Sequence, residues 1–302
     1  MLTKFRYSDE IKEEIVKNGV KTVTVLSPTD FSVAQTFDCG QCFRFDPTPD
    51  GDGASDVSGI AFGRAVRIRR TGDTLTIYGA DADDYFNIWR GYLGFDTDYS
   101  LLSADILAHF PTGSIMTEAA EYGKGIRILA QDPFETLISF IISQNNNIPR
   151  IKKLVEALSR TAGDKLGDEQ FAFPTAKQIL DLGEDGLKEL KTGFRAGYIY
   201  DAAQKVYSGE IELDKVAKAE STAVASEMLQ KIKGVGPKVA ACTLLFGFKR
   251  LDAFPVDVWI KRSFANHFGG SLDINSLGSY AGLAQQYLFY YERYNETNGV
   301  TK

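Results

Sequence analysis

The segment MLQKIKGVGPKVAAC, residues 228–242, carries the most information about how this chain folds. Its pattern predicts that one helix ends, that the chain turns tightly through Gly234-Val-Gly236, and that a second helix opens with Pro237 near its first position. Glycine allows the positive φ and the close backbone approach that such a turn requires. Because free N–H groups with partial positive charge lie at a helix start, the turn should bind an anion such as a DNA phosphate.

Lys238 follows this turn directly and is the first candidate for chemistry. A cation in the first turn of a helix opposes the helix dipole, and Lys231 and Lys233 add like-charge repulsion, so we expect the neutral amine to be favoured. A neutral lysine amine is the nucleophile of Schiff-base chemistry. The alternative, more common for such a segment taken alone, is a surface lysine without a chemical role.

Asp257 lies nineteen residues further on, in the segment AFPVDVW. Pro255 restrains the chain ahead of a predicted helix, which puts Asp257 at the N-cap. The carboxylate could serve only as a cap, or it could also stabilise positive charge that develops on a sugar during glycosidic cleavage. The two roles are compatible because capping fixes the position of the carboxylate.

The first third of the chain has the pattern of short β-strands. Residues 21–27, 58–63, 65–70 and 74–79 are rich in β-branched residues with partial alternation, and Cys42–Phe45 also has strand character. A run of Asp, Gly and Pro predicts an exposed, mobile loop at 46–58. These features predict a small antiparallel β domain at residues 1–120.

From about residue 83 the pattern becomes helical. Asp132 and Pro133 start one helix as N-cap and first residue, and Gln144 lies near its end. Further helices are predicted at 148–160, 174–190, 194–208, 221–232, 237–248, 257–268 and 279–294. We therefore predict an α+β chain, with the β domain followed by a mostly helical catalytic and DNA-binding body at 121–302.

The net charge of −6 argues against a nucleic-acid partner only until its distribution is considered. Residues 1–120 hold 11 basic against 18 acidic side chains, whereas residues 226–262 hold seven against three. DNA binding needs a local basic surface, so an acidic remainder is compatible with it. A merely solvated charged face is the alternative.

Composition also sets the expected class and location of the protein. With 44% hydrophobic residues, 25% charged residues and no apolar run of about 20 residues, we expect a globular protein and no membrane partner. The first ten residues, MLTKFRYSDE, lack a signal-peptide core, and three cysteines do not suggest a secreted disulfide scaffold. We expect an intracellular monomer, in the cytoplasm or nucleoid if the source is bacterial.

The sequence GVGPKVA followed by PVD resembles the helix-hairpin-helix glycosylase superfamily, known as HhH-GPD. The order of motifs along nearly the whole chain resembles its 8-oxoguanine DNA glycosylase family. Five separated matches in one order are far more specific than any one of them. The four others are CGQCFRF at 39–45 (family GQSFRW), QDPFE to QNNNIPRI at 131–151 (RQDPIE to SNNNIARI), GFRA at 193–196 (GYRA) and YAGLAQQYLF at 280–289 (YAGWAQAVLF).

The resemblance implies a bifunctional enzyme of base excision repair that needs no cofactor. Lys238 would attack the sugar C1′ of an 8-oxoguanine nucleotide, form a Schiff base and allow β-elimination at the abasic site, while Asp257 would assist departure of the base. The flipped base would meet four residues: Gly40, whose carbonyl accepts from the N7–H that guanine lacks, Cys242 on one face, Phe289 stacked on the other face, and Gln285 at the pairing edge.

The resemblance also implies how double-stranded DNA is held. Asn145 would fill the space that the base leaves, Arg150 and Arg195 would read the orphaned cytosine, and Phe194 would wedge beside it. Gly234 and Gly236 would bring the hairpin backbone to a phosphate. A structural cation beside that phosphate would be held by three backbone carbonyls, those of Gln230, Ile232 and Val235.

The chain departs from the family at several positions. Trp259 stands where eukaryotic members have a histidine that contacts phosphate, which puts that contact in doubt. Phe194 replaces a tyrosine, Phe246 a pocket methionine and Cys42 a serine. Cys39 and Cys42 also form a CxxC pair, for which a redox motif or half of a zinc site is the alternative interpretation.

Two other functions compete with this prediction. A helix-hairpin-helix can bind DNA without catalysing anything, although Lys238 and Asp257 at this spacing argue against that. A sister glycosylase for alkylated or mismatched bases is the second alternative. Monofunctional sisters lack the lysine, so Lys238 disfavours them.

Overall fold

The computed structural model describes residues 10–17, 19–48 and 55–297 of the 302-residue chain. It has the predicted α+β architecture, with an antiparallel sheet in the first third and helices in most of the remainder. Nine of the first ten residues, and residues 49–54 of the predicted loop, lie outside the described residues. Within those residues, no helix combines the length and apolar composition that crossing a membrane requires.

Six strands form one sheet in the order β1-β2-β6-β5-β4-β3, with every pairing antiparallel. The alternating pattern of β2, β5 and β6 buries one face, where Val23, Ile68 and Ile77 are fully inaccessible. A second, two-stranded sheet pairs β7 with β8. The strands are β1 Ile11–Lys17, β2 Val20–Leu26, β3 Phe45–Pro47, β4 Asp56–Ala61, β5 Arg64–Thr71, β6 Thr74–Tyr78, β7 Lys165–Gly167 and β8 Gln170–Phe171.

The sequence prediction was wrong at both ends of the 46–58 loop and over part of the preceding strand. β3 starts only at Phe45, and it pairs with β4, whose first residue Asp56 is fully buried against Arg67 at 2.5 Å. Composition alone cannot distinguish a buried aspartate that is paired with an arginine from an exposed aspartate in a loop. The sequence analysis did not predict β1, because this edge strand, IKEEIVK, is charged and mostly exposed.

The helices confirm the predicted segments to within a few residues at each end, as expected for frayed termini. A short helical stretch follows β6 and is made of Ala82–Asp84, the π-helical turn Tyr85–Trp89 and Arg90–Tyr92. The other helices are α1 Val33–Asp38, α2 Tyr99–Ala108, α3 Ile115–Tyr122, α4 Pro133–Ser143, α5 Ile148–Ala162, α6 Ala176–Glu189, α7 Ala196–Tyr207, α8 Leu213–Ala217, α9 Thr222–Leu229, α10 Pro237–Phe248, α11 Val258–His267 and α12 Ala281–Thr297.

Two hydrophobic cores organise the molecule, one under the sheet and one inside the helical body. The segment that joins them contributes to both in turn. Cys39 and Phe43 belong to the helical core, whereas Cys42 and Phe45 belong to the core under the sheet. Gly40 therefore lies on a segment that is anchored on both sides.

Two packing contacts bring the helix starts of the helical body together. α4 packs along α10 through the stacked rings of Phe140 and Phe246, whose centroids are 5.5 Å apart. α12 lies close against the chain that precedes α11, because a Cβ on Gly282 would come within 2.5 Å of the Ala253 carbonyl. This close approach fixes the start of α11, and with it Asp257, relative to α12.

Candidate active site

A cleft of about 950 Å³ opens where the starts of α10 and α11 face α12 and the loops at 39–43 and 144–147. It brings together most of the residues that the sequence singled out. Those that line it are Gly40, Asn145, Phe194, Gly236, Lys238, Cys242, Asp257, Gln285 and Phe289. Those outside its lining are Arg150, Arg195, Gly234 and the three candidate cation ligands Gln230, Ile232 and Val235.

Lys238 is the second residue of α10 and is half-buried at the wall of the cleft. Its Nζ donates to Ser143 Oγ at 3.1 Å and lies 5.2 Å from the centroid of the Phe140 ring. No ion pair engages this amine within the part of the chain that the structure describes. A neutral hydroxyl and an aromatic face thus hold the amine, which leaves it free to react.

Sequence reasoning missed Ser143. It is the last residue of α4, immediately before the QNNN motif, and a serine at a helix end is more commonly a local cap. Its own hydroxyl donates to the Phe140 carbonyl at 2.7 Å, which leaves the oxygen lone pairs for Lys238.

Asp257 is the N-cap of α11, as predicted. Its Oδ1 accepts from the Trp259 N–H at 3.0 Å and from the Ile260 N–H at 2.9 Å. Burial raises the pKa of Asp257, and the Ile260 N–H and the charge of Lys238 oppose that rise. The two cap bonds use one carboxylate oxygen, so the group can act as a cap and as a negative charge in the cleft.

Cys242 lies one turn after Lys238, where it is 3% exposed. Burial raises the pKa of its thiol to about 11, although the charge of Lys238 favours the thiolate. The thiol is therefore neutral near pH 7 and offers a compact apolar surface rather than a second nucleophile.

Phe289 and Gly40 meet at the back of the cleft. Gly40 has φ +77°, and a Cβ built on it would lie 3.2 Å from the Phe289 ring, so only glycine fits without strain. Gln285 is 3% exposed, and its Oε1 has no donor among the described residues. A buried amide oxygen without a donor is costly unless a ligand supplies one.

The loop at 144–147 is held from behind by Arg195, which is only 4% exposed. Its guanidinium donates to the carbonyls of Gln144 and Asn145, each at 2.9 Å, and of Thr192 at 3.1 Å. Burial lowers the pKa of Arg195, and the charge of Arg150 lowers it further. In this conformation Arg195 supports the loop and does not reach the cleft.

The neighbouring residues are more accessible. Asn145 is exposed and takes φ +47°, an uncommon conformation for a residue other than glycine. Arg150 is exposed on the first turn of α5, with its guanidinium 3.5 Å from the Lys191 carbonyl. Phe194 is 55% exposed. Asn145 and Phe194 form an exposed rim of the cleft that a large ligand would meet first, and Arg150 lies exposed outside its lining.

The hairpin glycines between α9 and α10 have different surroundings. Gly234 has φ +79°, and a Cβ there would overlap the Tyr198 ring, whereas Gly236 has φ −101° and open space around it. Gly236 is also the N-cap of α10 and lines the cleft. Gly234 therefore serves the fold of the turn, and Gly236 leaves the backbone accessible.

A matched pair of substitutions should separate these two roles. Gly234→Ala adds a side chain at a positive φ and against a ring, which should cost about 2–4 kcal/mol of unfolding free energy. Gly236→Ala should leave the unfolding free energy nearly unchanged and should weaken binding of duplex DNA. Thermal melting and a DNA-binding titration measure the two effects. Equal loss of stability in both variants would contradict this assignment.

The CxxC cysteines are unsuited to the redox and zinc interpretations. Cys39 and Cys42 are both buried and unpaired. Burial raises the pKa of Cys39 to about 12 and that of Cys42 even further. Because both kinds of chemistry require the thiolate, this environment disfavours them.

The departures from the family motifs keep the walls of the cleft intact. Phe246 stacks on Phe140, as described above, in place of a methionine. Trp259 lines the cleft from the first turn of α11, and the guanidinium carbon of Arg262 lies 5.3 Å from its ring centroid. A cation over an indole is a favourable arrangement, so the tryptophan holds an arginine near the position of the family's histidine.

Comparison with known proteins adds independent support. Residues 23–137 match the model of the 8-oxoguanine DNA glycosylase N-terminal domain, and residues 138–275 match that of the HhH-GPD superfamily of base excision DNA repair proteins. The N-glycosylase/DNA lyase OGG1 of Arabidopsis thaliana is 32% identical, over 87% of this chain and 78% of the plant protein.

The chain belongs to the 8-oxoguanine DNA glycosylase/lyase family.

Solved structures of this family have the same fold. The 8-oxoguanine glycosylase/lyase of Clostridium acetobutylicum, in complex with double-stranded DNA containing cytosine opposite 8-oxoguanine, superposes with a TM-score of 0.84 at 35% identity. The structure of MBOgg1 with a low-affinity DNA ligand gives a TM-score of 0.85 at 38% identity. Each comparison covers 95% of this chain, and they cover 99% and 98% of the other chains respectively.

Proposed function

We propose that this chain excises 8-oxoguanine from double-stranded DNA and then cleaves the strand at the abasic site, as an enzyme of base excision repair. The observation that carries the proposal is the meeting of Lys238 and Asp257 in one cleft, where the charge of the lysine acts on the carboxylate. One residue supplies a nucleophile and the other a negative charge, which together suit cleavage of a glycosidic bond.

The chemistry follows from these two groups. Once it has given up its proton, the Nζ of Lys238 attacks C1′ of the damaged nucleotide, and the bond from C1′ to N9 breaks with its electron pair leaving on the base. Asp257 stabilises the positive charge that develops on the sugar. The covalent amine then loses a proton to water and becomes a Schiff base as the C1′–O4′ bond breaks, with its electron pair going to O4′ and opening the sugar ring. Loss of a C2′ proton to water follows, the C3′–O3′ bond breaks, and the 3′ phosphate departs by β-elimination.

Selection of the base rests on four residues of the cleft. Phe289 offers a stacking surface, and Cys242 offers a compact apolar one for the opposite face of the base. The Gln285 Oε1, buried and without a donor among the described residues, suits the N–H groups on the pairing edge of a guanine. The Gly40 carbonyl would accept from N7–H of 8-oxoguanine, whereas guanine has a lone pair at N7.

The duplex would be held by the rim of the cleft and by the hairpin. Asn145 would fill the gap that the flipped base leaves and Phe194 would wedge beside it, and the accessible backbone at Gly236 would bind a phosphate. We propose cytosine as the partner of the lesion, read chiefly by the exposed Arg150. Arg195 would have to give up the carbonyls of Gln144 and Asn145 to take part.

The hairpin could also hold a structural cation through the carbonyls of Gln230, Ile232 and Val235. These residues follow the C-terminus of α9, where carbonyl groups carry partial negative charge that favours a cation. Such an ion would tie the turn to a DNA phosphate and would take no part in the bond-breaking steps. The proposed reaction needs no cofactor. We propose that it takes place in the compartment that holds the cell's DNA.

The proposed function is tested by incubating the protein with a duplex that contains one 8-oxoguanine opposite cytosine. Release of the free base, and a covalent complex after borohydride reduction, are the expected results. A duplex with guanine in place of the lesion is the matched control. Strand cleavage without release of 8-oxoguanine would contradict the proposal.

The preference for cytosine gives a further prediction. Arg150→Ala should reduce excision opposite cytosine by about tenfold or more, and should affect excision opposite adenine much less, since cytosine offers O2 and N3 as adjacent acceptors to a guanidinium. Excision rates opposite all four bases measure this effect. If Arg150 binds only phosphate, all four rates should fall together, and wild-type rates that are equal for every partner would also contradict the prediction.

A further inference from the structure

The carbonyl of Gly40 differs from its neighbours along the loop. Arg293 donates to the Asp38 carbonyl at 2.9 Å, Gln286 donates to the Cys39 carbonyl at 3.4 Å, and Gln131 donates to the Gln41 carbonyl at 2.7 Å. Among the described residues nothing donates to the Gly40 carbonyl. The loop thus satisfies the carbonyls on both sides and leaves the one between them to a ligand.

Gln286 is the contact that sequence reasoning did not anticipate. The family motif YAGWAQAVLF has alanine at this position, whereas this chain has glutamine. The side chain is 2% exposed, and its Nε2 also lies 3.7 Å from Cys39 Sγ. Burial of an amide is unfavourable unless it forms hydrogen bonds, so its engagement with Cys39 has a physical basis.

Three residues close together on α12 have different contacts in the cleft. Gln285 leaves its Oε1 without a donor, Gln286 bonds to the loop, and Phe289, one turn on from both, contacts Gly40 itself. The same helix therefore presents an acceptor for the base, a ring to stack on it and an anchor for the loop behind it. A shift of the loop away from α12 would lengthen the contact between Gln286 and the Cys39 carbonyl.

Gly40 allows backbone rotation in the loop, and the hydrogen bond from Gln286 restricts that rotation. A glycine at φ +77° has no Cβ to restrict rotation of its two flanking peptides. The hydrogen bond to the Cys39 carbonyl fixes the peptide before Gly40, and the hydrogen bond to the Gln41 carbonyl fixes the peptide that follows the one carrying the Gly40 carbonyl. Because 8-oxoguanine and guanine differ at N7 by one proton, discrimination depends on the direction in which a single carbonyl points.

We propose that Gln286 is a positioning residue for base discrimination, acting with Gln131 to aim the Gly40 carbonyl at the lesion. The proposal rests on the proposed function of this cleft. It assigns to this chain a determinant of specificity that its family motif does not contain. Gln131 lies outside the lining of the cleft, so it can act on a bound base only through the loop.

The test compares Gln286→Met and Gln131→Met with the wild type. Methionine keeps the length of glutamine and removes the donor, and Gln204→Met, at an exposed position on α7, is the matched control. Two rates are measured in each protein: excision of 8-oxoguanine, and cleavage at a preformed abasic site, which needs Lys238 but no base recognition. Both anchor variants should lose about tenfold in excision, as expected when one hydrogen bond that orients the loop is removed, and keep the abasic-site rate.

The outcomes are separable. A wild type that cannot excise 8-oxoguanine would overturn the proposed function together with this inference. A wild type that excises it, with anchor variants that are unimpaired or that lose both rates in parallel, would overturn the inference alone. So would a selective loss in Gln286→Met without one in Gln131→Met, because Gln286 would then contact the base directly. If Gln286→Met does not fold, Gln286→Ala, with the residue of the family motif, takes its place.

Discussion

Replacement of Lys238 by glutamine is expected to abolish borohydride trapping and to reduce excision of 8-oxoguanine by about 10³-fold or more, since a covalent route without its nucleophile is closed. Glutamine can still donate to Ser143 Oγ, so the wall of the cleft should keep its shape. Binding to a duplex with the lesion should therefore be largely retained. Gel detection of the trapped complex and a binding titration measure the two effects.

The matched control for this variant is Lys215→Gln. Lys215 is exposed on α8, where it pairs with Glu212, and it does not line the cleft. This control should trap and excise at wild-type levels. Trapping of Lys238→Gln at wild-type yield would show that another amine is the nucleophile.

Replacement of Asp257 by asparagine is expected to slow excision by about 10²- to 10³-fold, the range seen when an electrostatic partner of a transition state is removed. Asparagine and aspartate cap helices about equally well, so the bonds to the Trp259 and Ile260 N–H groups should persist. The variant should thus fold normally while its chemistry fails. Single-turnover rates and thermal melting measure the two properties.

The raised pKa of Asp257 adds a pH dependence with a definite sign. A carboxyl group whose pKa is higher in the folded state than in the unfolded state favours folding when protonated, and this contribution is lost as the pH rises through the folded-state pKa. Asparagine carries no such charge. The unfolding free energy of Asp257→Asn relative to the wild type should therefore increase as the pH rises from about 4, the ordinary pKa of an aspartate, through the folded-state pKa of Asp257.

The excision rate of the wild type and the stabilising contribution of protonated Asp257 should change in opposite directions with pH. Excision by the wild type should decline as the pH falls through the pKa of Asp257, because the protonated group no longer offsets the charge on the sugar. Asp252→Asn, at an exposed position five residues earlier, is the matched control for both measurements. An Asp257→Asn variant as active as the wild type would leave Asp257 with capping as its only role.

The sequence was most informative where chemistry and local backbone structure coincide. Gly234, Pro237 and the N-cap Asp257 each impose a conformation on their own few residues, so the hairpin and both helix starts could be predicted without tertiary contacts. The roles of Lys238 and Asp257 rest on the resemblance and on this local geometry, and they remain predictions that the variants test.

Contacts between distant segments could not be predicted in the same way. Arg195 was interpreted as a base reader, whereas the structure has its donors on the carbonyls of the 144–145 loop, about fifty residues away. Gln286 forms a hydrogen bond with Cys39, which is 247 residues away in the chain, and the sequence around Gln286 does not indicate this partner. Ser143 is of the same kind, since its lysine lies 95 residues further on.

The segment at 39–45, whose residues alternate between the two cores, limits how the domains of such an enzyme can be exchanged, by engineering or in evolution. Gly40 is held by Cys39 and Phe43 in one core and by Cys42 and Phe45 in the other, so its place depends on how the two halves are assembled. Exchanging the sheet for an unrelated domain would leave Lys238 and Asp257 in place and still remove the support of the Gly40 loop. The proposed selectivity for the lesion thus depends on the joint between the halves, and we expect that it cannot be transferred with either half alone.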